Sequence, residues 1–327
     1  MQPVVLARVI RSGFEESVHV GHVAVCDADG RLLAWAGDPE RPLFARSSMK
    51  PLQAAVSLAA IGADAWAGLP DAEVSMMCAS HNGEPVHVEA VRRLLDRAGL
   101  GVDALRCPPG WPIDPEAMAA AGERRRELHN CSGKHAGMLW ACAARGWELE
   151  SYRSPEHPLQ RDVLAAVAAA IGASPLAVGI DGCGVPVHGM PLRATATLFA
   201  RLARPERLGR FQGPARRAVG AMTAAPYLVA GRGRIDTAVM EVAPGIAVKS
   251  GAEGLVCAAI LDRGVGVAVK AEDGSWRASD PAVIRALRLL DAIDDAQVDQ
   301  LALFARPPVL GGGEPVGEIV TDLTLVR

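Results

Sequence analysis

Arg46-Ser47-Ser48-Met49-Lys50-Pro51-Leu52 is the stretch on which the reading of this chain turns. Leu52, Val56 and Ala59 recur near helical spacing, and Pro51 is tolerated only in the first turns, so the pattern predicts a helix over 47–60 with Ser47 at or beside its N-cap. Residues three apart share one helix face, which brings the Ser47 hydroxyl towards the Lys50 amine. On the N-terminal side, residues 18–25 alternate, Asp27-Ala28-Asp29-Gly30 reads as a turn, and 31–36 completes a β-hairpin. On the C-terminal side, 74–79 is a short strand-like apolar run ending at Ser80-His81-Asn82-Gly83, followed by helices over 84–98 and 133–144. Residues 158–203 alternate an Ala-rich helix, a Gly-rich turn and apolar segments. Residues 205–222 read as an Arg-rich amphipathic helix, and Arg124-Arg125-Arg126 as a solvated helix face. Beyond 237, strands over 245–250, 255–261 and 264–270 precede a helix over 280–293 and a last strand over 317–326. Strands at the two ends with helices between them predict an α/β (α+β) sandwich whose termini pair in one sheet. The whole of 1–327 reads as a single domain with an all-helical lobe in its middle.

Half of the 327 residues are hydrophobic and the mean hydropathy is +0.17, enough to build a core and to exclude a disordered chain. The formal charge of -3 gives no reason to expect nucleic acid or an anionic membrane as partner. Arg8, Arg11, Glu15 and Glu16 interrupt the N-terminal apolar residues, against a signal peptide, and no apolar run is long enough to span a bilayer. Seven cysteines scattered through a chain of this length suggest reduced thiols. The expectation is a soluble, cytoplasmic protein.

Only four of the 34 basic residues are lysines: Lys50, Lys134, Lys249 and Lys270. Asparagine is rarer still, at Asn82 and Asn130 alone. A bias that writes arginine wherever a surface charge suffices explains the total but not the survivors. Lysine can shed its proton when desolvated, whereas arginine keeps it, so a lysine needed as a neutral amine cannot drift to arginine. Some of these four are therefore expected to do proton or ligand chemistry.

Ser47-x-x-Lys50 places a hydroxyl beside a possible base, and Lys249-Ser250-Gly251 adds a second amine next to small residues that admit a ligand. The bland alternatives are a capping serine and a strand-end charge. Ser80 fits a second nucleophile, a proton shuttle or an Asx-type turn, and His81 a turn residue or a substrate contact. Cys131 and Cys183 offer two soft ligands for zinc, with His129 and His135 flanking, although buried apolar thiols are the ordinary reading. Asp181-Gly182-Cys183-Gly184 suits a carboxylate gripping a substrate amine, or simply a tight turn. Glu241 and Glu253 are candidate polar contacts.

Six segments in order carry a resemblance. They are Arg46-Ser47-Ser48-Met49-Lys50-Pro51; Cys78-Ala79-Ser80-His81; His129-Asn130-Cys131-Ser132-Gly133-Lys134-His135-Ala136-Gly137-Met138; Gly179-Ile180-Asp181-Gly182-Cys183-Gly184-Val185-Pro186; Arg234-Ile235-Asp236-Thr237; and Lys249-Ser250-Gly251-Ala252-Glu253-Gly254. With them the chain resembles the rhizobial-type, class 3 L-asparaginases, the asparaginase II family. The resemblance implies a fold like that of serine β-lactamases and glutaminases, a central mostly antiparallel sheet with helices on both sides, and a homodimer. It implies hydrolysis of L-asparagine to L-aspartate and ammonia by two serine–lysine pairs, Ser47 with Lys50 and Ser80 with Lys249, Lys270 being the other amine downstream. It further implies zinc held by Cys131, Lys134 and Cys183, and a substrate pocket lined by Arg46, His81, Asp181, Gly182 and Gly251, with Asp181 on the α-amine. A glutaminase on the same scaffold, or a non-catalytic zinc- or amino-acid-binding protein, are the competing expectations.

Overall fold

Alternating apolar residues at both ends of the chain meet in one antiparallel sheet. The computed structural model describes residues 1–327. Its strands are β1 (Val4–Arg11), β2 (Phe14–Asp27), β3 (Leu32–Ala36), β4 (Pro42–Phe44), β5 (Ala177–Ile180), β6 (Pro186–Pro191), β7 (Ile246–Gly251), β8 (Leu255–Ile260), β9 (Val265–Ala271), β10 (Pro308–Gly311) and β11 (Glu314–Val320). Its helices are α1 (Lys50–Ile61), α2 (Ala63–Trp66), α3 (Asp71–Met77), α4 (Pro85–Arg97), α5 (Pro115–Ala120), α6 (Ser132–Arg145), α7 (Pro158–Ile171), α8 (Leu192–Ala203), α9 (Gln212–Ala224), α10 (Ile235–Val242), α11 (Trp276–Leu289), α12 (Asp295–Gln300) and α13 (Ala302–Ala305). They form two compact units: a sheet unit of Met1–Ser48, Met190–Arg204 and Ala238–Arg327, and a helical unit of Met49–Gly189 and Pro205–Thr237. No helix is long and apolar enough to cross a membrane.

In the sheet unit the order is β10-β11-β1-β2-β9-β8-β7, with β3 also on β2. The N- and C-terminal strands pair directly, Arg8 opposite Val320 and Arg11 opposite Gly317. β8 is buried at every position, which requires cover on both faces. One face presents Ala24, Cys26, Gly266 and Ala268, small side chains against which α8 packs, with Cys26 Sγ donating to Arg193 O at 3.6 Å. The other presents Val23, Val25, Val267 and Val269, all fully buried, and α11 supplies the covering helix. The result is an α/β fold with helices on both sides of an antiparallel sheet.

In the helical unit α1 packs against α6, α7 and α9 and is buried continuously from Lys50 to Leu58. A helix apolar on most of its circumference belongs at the centre of a core. α6 lies against α3 through Gly133, where an added Cβ would stand 2.3 Å from the Met76 carbonyl oxygen. That close approach brings Cys131 and Lys134, at the start of α6, to the end of α3 from which the chain runs into Ser80.

Several expected elements come out differently. Ser47 is not a helix cap: Arg46–Met49 forms a 3-10 turn and α1 starts at Lys50, capped at Met49 without a side-chain bond. The strand-like run 74–79 is mostly helix. Asp71 and Glu73 in the first turn of α3 favour the N-terminus of a helix dipole, a signal that outweighs a short apolar run. The helix expected over 205–222 is broken at Gly209, whose φ is 54°, so α9 starts only at Gln212. Arg125 is extended and bridged to Gly110, so the arginine run is no helix face. α11 starts at Trp276, where Ser275 caps it by accepting from Arg277 N–H. The final strand stops at Val320, and 308–311 supplies a strand that the pattern did not indicate.

One surface cluster makes a measurable contribution. Glu272 accepts from Arg41 Nε at 2.6 Å and lies 2.7 Å from His22 Nε2. The Arg41 hydrogen bond, helped by His22, lowers the Glu272 carboxyl from 4.5 to about 2. A carboxyl depressed in the folded state stabilises above its ordinary pKa, and that contribution disappears as pH falls from about 4.5 towards 2. With a partly exposed side chain, Glu272→Gln is expected to cost about 1–2 kcal/mol in urea unfolding at pH 7. Near pH 3 the cost should shrink; an equal cost at both pH values would remove the ion pair from the account.

Candidate active site

Three of the four lysines are buried, Lys50 and Lys249 at 0% exposure and Lys134 at 3%, and Lys270 is half-buried. Lysines are almost never this deep without partners. In the helical unit Lys50 Nζ donates to Ala79 O at 2.6 Å and lies 2.8 Å from Ser80 Oγ. The amine reaches across 30 residues of sequence, so its hydroxyl partner is Ser80 where the local spacing pointed to Ser47. Burial pulls the Lys50 amine below the ordinary lysine value; the Cys131 and Cys183 sulfurs oppose that, and Lys134 adds to it.

Ser80 lies on an irregular segment between α3 and α4. The segment is held by its own backbone: Ser80 N–H donates to Val229 O at 2.8 Å, His81 N–H to Asn130 O at 3.2 Å, and Asn82 N–H to Ala230 O at 2.8 Å. Gly83 N–H donates to His81 Nδ1 at 3.0 Å. His81 Nε2 pairs with Ser132 Oγ at 2.8 Å, and Ser132 Oγ itself donates to Glu127 O at 2.9 Å. His81 therefore carries its proton on Nε2, and both ring nitrogens are engaged within the chain. Burial, then His87 and Lys50, keep its pKa well below the ordinary histidine value, so the ring is neutral.

Beside this segment, Lys134 Nζ donates to Cys183 Sγ at 3.0 Å, and Cys131, Lys134 and Cys183 are each at most 4% exposed. The Cys131 thiol is held well below its ordinary pKa, first by a hydrogen bond with Cys183 and, against burial, by the Lys50 and Lys134 charges. Burial pulls Lys134 down, but Cys183 and Cys131 outweigh it and the net direction is up. No three His, Cys, Asp or Glu side chains are grouped to hold a metal, so an ion here must take the amine as a donor. His135 Nε2 is buried without a hydrogen-bond partner, and its ring interacts with Cys183. Two buried soft sulfurs, one of them favouring the thiolate, beside a buried amine that must give up its proton to ligate make a donor set that fits zinc. Asp181 ends the β5 side of the tight turn, its N–H bonded to Val185 O at 2.9 Å, and Gly182 N–H donates to its carboxylate at 2.8 Å.

In the sheet unit Lys249 is on β7 opposite Cys257, and its Nζ donates to Ser250 O at 2.8 Å. A Cβ added at Gly251 would lie 3.3 Å from Ala45 O, so glycine lets the end of β7 approach the turn that carries Ser47. In that turn Arg46 has a φ of 47°, a conformation costly for a non-glycine residue and often concentrated at functional sites. Arg46 Nη1 is 4.0 Å from Glu253 Oε1, and Ser48 Oγ donates to Ala45 O at 2.5 Å. Lys270, on β9 opposite His22, donates to Ala271 O, and burial lowers its pKa. Glu241 is exposed.

The sequence drew notice to Arg234, Asn82 and Ser132 without giving them a role, and to Glu84 only as the start of a helix. Asparagine scarcity was an available signal for Asn82, whose side chain accepts from Arg234 and donates to Arg232 O, while Asn130 serves the segment only through its backbone carbonyl.

Solved structures similar to this chain include a β-lactamase from Mycobacterium bovis, at 17% identity over 83% of this chain and 94% of that one, with a TM-score of 0.44. A Bacillus glutaminase matches at 13% identity over 83% and 91%, TM-score 0.44. Mglu in its glutamate form matches at 16% identity over 83% of this chain and 61% of that one, TM-score 0.46. Likenesses this distant carry no argument for function. No curated protein matches the chain. The description L-asparaginase II, in contrast, matches residues 7–321, nearly the whole length and all six quoted segments. The chain belongs to the L-asparaginase II family.

Proposed function

We propose that this protein is an L-asparaginase, an amidohydrolase that converts L-asparagine and water to L-aspartate and ammonia through an acyl-enzyme on Ser80. The observation that carries the reading is the buried 2.8 Å contact between Ser80 Oγ and Lys50 Nζ. A neutral amine has one lone pair and two N–H groups. With one N–H committed to Ala79 O, the lone pair of Lys50 can take the serine proton. Ser80 Oγ then attacks the side-chain carboxamide carbon, and the Lys50 ammonium returns the proton to the departing nitrogen, which leaves as ammonia. Water, deprotonated by the same amine, attacks the ester, releases aspartate and restores Ser80. The N–H groups of residues 80–83 are all committed within the chain, so they cannot serve the oxyanion. The ammonium formed on Lys50 when it takes the serine proton is the positive partner beside Ser80 for the oxyanion.

Cys131, Lys134 and Cys183 would hold zinc, which as a Lewis acid would polarise a substrate oxygen when bound. Asp181 is assigned to the substrate α-amine, with Arg46, Gly182 and Gly251 as further substrate contacts. His81, whose ring nitrogens are engaged, is assigned to ordering the Ser80 segment. Ser47 and Lys249 are kept as the second hydroxyl and amine, and the homodimer and cytoplasmic location rest on the resemblance and composition.

Ammonia release from asparagine and glutamine, measured side by side with and without chelator, tests the proposal. One extra methylene is worth about 10–200-fold in such a pocket, so asparagine should lead by at least ~10-fold. Chelation should lower the rate if the ion is resident. A glutamine preference would make the chain a glutaminase, and aspartate binding without ammonia release from either amide would make it a binding protein.

A further inference from the structure

We infer that Arg234 is a positioning residue for Ser80, fixing the serine's own carbonyl and the Asn82 side chain just beyond it so that the serine hydroxyl stays aimed at Lys50. The inference rests on the reading of Ser80 as the nucleophile. Ser80 is on neither helix nor strand, so no ladder of regular hydrogen bonds holds it. Its support comes from residues 226–237, about 150 positions along the chain. Two backbone bonds, Ser80 N–H to Val229 O and Asn82 N–H to Ala230 O, align the two segments. Arg234 adds what those bonds lack: Nη1 donates to Ser80 O at 3.3 Å and to Asn82 Oδ1 at 3.1 Å, tying the serine carbonyl to the residue two positions on.

The bond to Asn82 also orients the amide, whose Nδ2 donates to Arg232 O at 2.9 Å. Glu84 secures the other side of the clamp, accepting from Arg232 N–H at 3.2 Å and from Tyr227 Oη at 2.5 Å. Gly231 N–H donates to Thr237 Oγ1 at 3.1 Å, closing the loop on which Arg234 is carried. Arg234 and Thr237 belong to the Arg234-Ile235-Asp236-Thr237 stretch, which the sequence singled out and the mechanism leaves without a role. Arg234 is the member of that stretch that bonds to the serine's own carbonyl. A guanidinium N–H₂ forks to two acceptors with little loss of freedom, whereas a lysine ammonium on a shorter, looser stem does so poorly.

Displacing a reacting atom by about 1 Å costs on the order of 100-fold in rate, so Arg234→Ala is expected to lower kcat about 30–100-fold with KM changed by less than about threefold. The backbone bonds remain in this variant, so its Tm should stay within about 3 °C of the parent. Arg234→Lys should recover part of the rate. Guanidinium chloride at about 20 mM should restore Arg234→Ala at least about fivefold relative to equal sodium chloride, because the free cation can occupy the same fork. The same addition should leave Ser80→Ala unchanged. Arg234→Ala with kcat within threefold of the parent overturns the inference. So does loss of activity that tracks loss of Tm and is not restored by guanidinium, which would make the role structural. Retained turnover in Ser80→Ala instead overturns the nucleophile reading, so the two failures are told apart.

Discussion

Ser80→Ala is expected to lower kcat for ammonia release from asparagine by about 10³–10⁵-fold, with a circular dichroism spectrum and Tm close to the parent. The expectation follows from placement. Ser80 is 3% exposed, its hydroxyl is 2.8 Å from an amine that burial biases towards the neutral form, and the N–H groups of four consecutive residues are bonded to hold the segment that carries it. Alanine fills the same backbone conformation and removes only the oxygen, so the fold has little to lose. Ser47→Ala should do less, because the amine that follows Ser47 by three positions is bonded elsewhere. Mass spectrometry of a quenched turnover should place the acyl adduct on the peptide containing Ser80. If both alanine variants kept near-normal turnover, the acyl-enzyme scheme would be abandoned.

Lys50→Arg is the second large effect. Arginine keeps its charge in nearly any environment, so it cannot take the serine proton, and kcat should fall about 10²–10⁴-fold. The variant also forces a permanent cation into a site with 0% exposure, beside Lys134, so its Tm should fall as well. Lys50→Met separates the two effects, since it removes the charge and should lose activity without that buried cation. In the parent, the base must be unprotonated, so kcat/KM should rise with pH through the Lys50 pKa, and burial places that limb below the ordinary lysine value. A parent-like rate in Lys50→Arg would refute the neutral-amine chemistry altogether.

Much of the architecture was legible from pattern. The hairpin of β2 and β3, the strands β7 to β9 and the pairing of the two termini all follow from alternation, which reports the side-chain direction of each residue and its next neighbour. Scarcity was informative too: the few lysines are mostly buried, and the Asn82 side chain joins Arg234 to the Ser80 segment. The failures share one cause. The 74–79 run was too short to distinguish strand from helix, and Gly209 broke a periodicity that looked continuous. The Ser47–Lys50 spacing was a local inference, and it gave no hint that the long Lys50 side chain meets Ser80, 30 residues away.

The amino-acid sequence by itself determined the fold class, most of the strands of the sheet unit, and the six segments that mark the family to which the chain belongs. Periodicity suffices for the strands because it reflects geometry within a turn or two of each residue, whereas the family is carried by the order of the six segments. Only the tertiary structure decided that Lys50 meets Ser80, that His81 has no ring nitrogen to spare, and that Arg234 reaches the serine backbone from about 150 residues away. It also decided the proton affinities of the amines, because desolvation arises only when α1, α3 and α6 pack together and exclude water.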